Sequence, residues 1–90
     1  MGQVDHFYLS ERMKAAESGE PSAFYDLGLL YSTGQGVGLN YVEAHKWFNL
    51  AAQRGIRRAQ VDRAELARDM STFEIAEAQR QAREWLTLHS

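Results

Sequence analysis

Ninety residues with no cysteine make one small domain at most, and they exclude disulfides, cysteine-ligated zinc and thiol nucleophiles. At 44% hydrophobic, 24% charged and a net charge of −2, the composition is that of an ordinary soluble globular chain, with no apolar run long enough for a membrane span. The opening stretch MGQVDHFYLS has neither the basic start and apolar middle of a secretory signal nor a myristoylation pattern, so the cytoplasm is the expected location.

The first predicted helix, about Val4 to Glu17, carries Phe7, Tyr8, Leu9, Met13, Ala15 and Ala16 on no single narrow stripe, so the pattern leaves its orientation open. Gly19 stops it, and Pro21 suits the first turn of a second helix. There Ala23, Phe24, Leu27, Leu30 and Tyr31 recur at helical spacing. Phe24 and Tyr25 cannot both face inward from the same turn.

The run YSTGQGVGLNY then places Gly34, Gly36 and Gly38 close together. A phosphate-binding loop would want a strand before it and a Lys-Ser/Thr pair or the dinucleotide spacing after it, and neither is present, so the glycines read as a turn between helices. Gly34 and Gly36 are expected in backbone conformations that other residues disfavour, with Val37 plugging the core beneath them.

Asn40 and Glu43 form the pattern of a reciprocal helix cap. The third helix sets Tyr41, Ala44, Trp47, Phe48, Ala51 and Ala52 on one apolar face, places His45 outside it in solvent, and ends at Gly55. A fourth helix, about Arg57 to Asp69, turns Ala59, Leu66, Ala67 and Met70 inward. Ser71 and Glu74 make a second capping box for a last helix from about Thr72 to Leu88, burying Ile75, Ala78, Ala82, Trp85 and Leu86 and pairing Arg80 with Glu84 outside. With no strand alternation anywhere, the class is all-α, with about five helices.

Charge is uneven: residues 1–45 sum to −4 and residues 46–90 to +2. The cluster Arg54, Arg57, Arg58 and Arg63 reads as a solvated helix end with Arg58 and Asp62 paired one turn apart, in preference to a nucleic-acid patch. Catalytic chemistry finds little support. His6, His45 and His89 sit on different segments, Ser22, Ser32 and Ser71 fall at helix ends, and Glu65 with Asp69 reads as a solvated pair, so no enzyme activity, metal or cofactor is expected.

An internal repeat decides the architecture. AAESGEPSA at 15–23 and AAQRGIRRA at 51–59 share Ala-Ala-x-x-Gly-x-x-x-Ala at a spacing of 36 residues, a period that fits a helix-turn-helix repeat. Between these marks Ala23, Leu27, Gly28, Tyr31, Gly34, Gly36, Val37, Tyr41, Ala44, Trp47, Phe48, Ala51, Ala52 and Gly55 follow in order. The unit resembles the Sel1-like repeat, a relative of the tetratricopeptide repeats. Gly38 stands where such loops often have proline and Asn40 where aspartate is common.

The resemblance implies a short right-handed solenoid of antiparallel helical hairpins. Residues 1–20 would be a capping helix, 21–56 the complete repeat, and 57–90 a divergent C-terminal hairpin lacking the glycine pair. It also implies a bacterial protein-interaction adaptor, taking a peptide or helix of a partner protein on the concave face formed by the first helices of the hairpins.

Helical spacing puts Ser22, Tyr25, Asp26, Leu29 and Ser32 on the outward face of the second helix, and the repeat offset carries these to Arg58, Val61, Asp62, Glu65 and Arg68. The expected binding residues are Tyr25, Leu29, Ser32, Arg58, Asp62, Glu65 and Arg68, with Tyr25 and Leu29 as anchors. The alternative is a structural homodimer joined through Phe7, Leu9 and Leu88, with no foreign ligand.

Overall fold

Proline, glycine and capping side chains divide the chain into α-helices in the computed structural model, which describes residues 6–89. The helices are α1 (His6–Glu17), α2 (Pro21–Thr33), α3 (Tyr41–Gln53), α4 (Arg57–Ala67) and α5 (Thr72–Leu88), and there is no strand among the described residues. The fold class is therefore all-α. The expected start of the first helix at Val4 lies outside the described residues.

The two Ala-Ala-x-x-Gly marks are one device used twice. Gly19 and Gly55 both take positive φ, of 85° and 93°. In each case the residue after the glycine donates its N–H back to the first alanine of the mark, Glu20 to Ala15 O and Ile56 to Ala51 O, both at 3.1 Å. This closes the helix and releases an extended residue from which the next helix starts. α2 and α4 thus begin from equivalent turns, 36 residues apart in the sequence. Gly34 and Gly36 have positive φ as well, and the half-buried Val37 packs against the core below them.

The two helix caps differ. Ser71 and Glu74 complete their box, with Glu74 N–H donating to Ser71 Oγ at 3.0 Å and Ser71 N–H to Glu74 Oε1 at 2.8 Å. Asn40 Oδ1 accepts from Glu43 N–H at 3.0 Å, but Glu43 does not reciprocate. Its carboxylate accepts instead from the buried Trp47 indole N–H at 3.0 Å and pairs with Lys46 at 3.1 Å, while Asn40 N–H returns to Tyr31 O. A buried indole has few other acceptors within reach, and it wins the carboxylate.

α3 is the hub. The close helix pairs are α1 with α2, α2 with α3, α3 with α4, and α3 with α5. Trp47, 1% exposed, stacks on Phe24 at 5.9 Å between ring centroids and meets Trp85 edge-on at 4.8 Å. α2 approaches α3 where Gly28 lies flat against the Phe48 ring.

Because α3 is flanked on several sides, the single-face expectation for it fails at His45, which is 3% exposed. Leu50 is buried with it. Two further apolar expectations shift: Leu86 is 37% exposed near the end of α5, and Leu9 packs against the core instead of standing free. Arg80 is shared, making two close hydrogen bonds to Glu77 and only a 3.8 Å approach to Glu84. The nearer partner holds the Glu77 carboxyl down at about 2.

His45 has a consequence for acid stability. Burial, and then the positive charge of Arg63, push its pKa below the usual value, and its Nδ1 has no hydrogen-bond partner among the described residues. The unfolded chain takes up a proton at about pH 6.5 while the folded chain resists it, so stability should fall as pH drops below that value. Urea midpoints at pH 7.5 and 5.5 are expected to separate in the wild type and to converge in His45→Leu. A slope unchanged by the substitution would assign the acid sensitivity elsewhere.

Candidate functional site

The turns after Gly19 and Gly55 start α2 and α4 from equivalent geometry, and both helices pack on α3. Between them runs a groove of about 330 Å³. Tyr25, Leu29 and Ser32 come from the α2 side, and Phe48 of α3 forms the floor. α4 supplies Arg58, Asp62, Glu65 and Leu66, and Asp69 follows just beyond its end.

Six of the seven residues expected on the interaction face therefore line one cavity. Arg68 does not. The repeat offset assumes helices of equal length, but α4 has 11 residues against 13 in α2, so position 68 is already the cap of α4. Asp69, Leu66 and Phe48 line the groove without having been expected there. α4's own spacing, with carboxylates at 62, 65 and 69, carried the signal for Asp69.

Exchanging Arg68 for Asp69 changes the electrostatics. Three carboxylates, Asp62, Glu65 and Asp69, face one guanidinium, Arg58, so the lining carries a net −2 at neutral pH. Arg58 is the loose member: its side chain is 76% exposed and its Nε lies 3.8 Å from Asp62 Oδ1.

Tyr25 is fixed. Its hydroxyl donates to Asp62 Oδ2 at 2.6 Å, joining α2 to α4 across the groove, and its ring lies 5.7 Å from that of Phe48. Burial, reinforced by the bond to Asp62, raises the Tyr25 pKa. It serves as a strut in the groove wall more than as a free anchor. Leu29 is 38% exposed at the rim, and Ser32 Oγ donates to the Leu29 carbonyl at 3.1 Å.

The remaining outward positions have other environments. Asp26 pairs with Arg12 at 2.8 Å, and Arg12 also holds Glu11 at 2.8 Å, so this part of α2 is tied to α1. Ser22 and Val61 are exposed outside the groove lining. His89 stacks on Trp85 with ring centroids 3.5 Å apart.

Among the described residues no group of three or more His, Cys, Asp or Glu is placed to hold a metal ion, and no helix is long and apolar enough to cross a membrane. What the groove offers chemically is an apolar floor between a tyrosine strut and a row of carboxylates, suited to holding a side chain of complementary shape and charge. No protein-family profile matches the chain and no curated protein matches it significantly, so the site is assigned from its geometry.

Proposed function

We propose that the chain is a protein-interaction module of the Sel1-like-repeat kind, an adaptor that takes a peptide or helix of a partner protein into the groove between α2 and α4. The observation that carries this reading is the convergence of Tyr25, Leu29, Ser32, Arg58, Asp62 and Glu65 on one cavity floored by Phe48. On the same reading residues 1–20 cap a short right-handed solenoid, 21–56 are its complete repeat and 57–90 a divergent closing hairpin. A cytoplasmic, regulatory setting in a bacterium accords with the sequence resemblance.

The test is affinity capture from the native lysate with the wild type and with a Leu29→Ser, Glu65→Ser variant, both sites being exposed and the helicity matched by circular dichroism. A partner held by the wild type and reduced about tenfold by the variant, equivalent to about 1.4 kcal/mol, is the expected result. Equal recovery with both chains would remove the groove from the function.

A second reading is favoured by one specific observation. Phe7, Phe73 and Leu88 are 79%, 84% and 73% exposed, apolar surface that a dimer would cover. In that case sedimentation would show a concentration-dependent dimer weakened by Phe73→Ser.

A further inference from the structure

We infer that the segment received by the groove is basic and amphipathic: an apolar side chain seats on Phe48 and Leu66, and lysine or arginine side chains meet Glu65 and Asp69. This rests on the groove reading above and names the chemistry of its partner.

Three features of α4 carry the inference. The first is spacing. Asp62, Glu65 and Asp69 recur at intervals of three and four residues, so they follow one side of the helix and its exit, over roughly 10 Å at the usual rise per residue.

The second is the order of charge along the helix. Helix dipoles favour acidic residues at the N-terminus and basic ones at the C-terminus. α4 is reversed on the groove side. Arg58 stands in its first turn, which holds no acidic residue, and its last turn holds no basic one. Arg68, at the C-terminal cap, has the favoured sign but lies outside the groove lining. The C-terminal end of the groove thus combines two carboxylates with the negative end of the helix dipole, an arrangement that costs α4 stability and attracts a cation.

The third is the unequal commitment of the carboxylates. Asp62 is engaged by the Tyr25 hydroxyl at 2.6 Å and approached by Arg58. Glu65 and Asp69 are exposed side chains of the lining, next to half-buried Leu66. A partner segment binds with its cations at the C-terminal end of α4 and away from Arg58, which gives the groove a polarity. An acidic segment would meet a repulsive field at that end and gain only the single Arg58 contact.

A random library of 12-residue displayed peptides, selected against the full chain, reads this directly. The enriched sequences are expected to carry a net positive charge and at least one large apolar residue. They should lose about tenfold in binding to Glu65→Lys, Asp69→Lys and to the neutral rim variant Leu29→Ser, and should weaken with added salt. Enrichment of neutral or acidic peptides that Leu29→Ser loses and the charge reversal retains overturns the basic-segment inference while leaving the groove as a binding site. Peptides retained equally by both variants, or no enrichment at all, overturn the inference and the groove reading together.

Discussion

Trp47→Ala is expected to destabilise the protein by about 3–5 kcal/mol, a large fraction of the stability of a domain this small. Trp47 is 1% exposed and sits where α2, α3 and α5 meet, stacked on Phe24 and edge-on to Trp85. Truncation removes the largest fully buried side chain and leaves both partner rings facing a void. The surroundings cannot close easily, because Phe24 is fixed by α2 packing and Trp85 by α5.

The hydrogen bond to Glu43 contributes less to the loss. Its carboxylate remains partly exposed and keeps Lys46 as a partner. Trp47→Phe separates the two contributions, retaining most of the ring contact while losing the indole N–H, and should cost about 1–2 kcal/mol. Denaturant unfolding followed by far-ultraviolet circular dichroism measures both. A loss under about 1 kcal/mol for the alanine variant would show that the three-ring cluster is not what joins the helices.

The second large effect comes from adding atoms. Alanine is the better helix former by about 1 kcal/mol, so Gly28→Ala in the middle of α2 would stabilise an exposed helix. Here it should destabilise by about 1–3 kcal/mol net, because the new methyl would overlap the Phe48 ring. The ring cannot simply swing aside: it is 2% exposed and packs against Tyr25, itself bonded to Asp62.

Shrinking the opposing residue tests the cause. If the clash is the reason, Gly28→Ala combined with Phe48→Leu should be more stable than the two separate losses would give when added, since each change relieves the other. Additive losses would place the damage in the α2 backbone instead. Because Phe48 lines the groove, the single variant is also expected to weaken the binding proposed for it.

Local chemistry was legible in the sequence wherever neighbours along the chain settle it. Pro21, Gly19, Gly55, and the Ser71 and Glu74 box fixed helix ends that the structure reproduces, since capping and φ preference act within a few residues. It failed at Glu43, drawn off its cap by Trp47 one turn further along α3, which competes for the same carboxylate. Where a second element intervenes, the reading broke down more widely.

The sequence pattern puts His45 in solvent because a one-face pattern assumes one neighbour, whereas α3 has α2, α4 and α5 around it. The α1 stripe stayed ambiguous for a related reason: Arg12 is held from α2 by Asp26, so a charged residue occupies part of the face that packs. The offset of 36 residues led to the groove-lining face of α4 but missed its end. Helix length is set by where Ser71 starts the next helix, which the comparison with α2 does not contain.

The central position of α3 bears on how the molecule opens. In a stack whose units touch only their neighbours, the ends can fray while the middle stays closed. Here α2, α4 and α5 all close against the same helix. Amide protons of α3 should exchange with solvent only when the whole chain unfolds, and those of α1, which meets the rest chiefly through α2, should exchange sooner. The groove walls would then share one opening reaction, so a ligand bridging α2 and α4 would slow exchange along α3, a helix it touches only at Phe48.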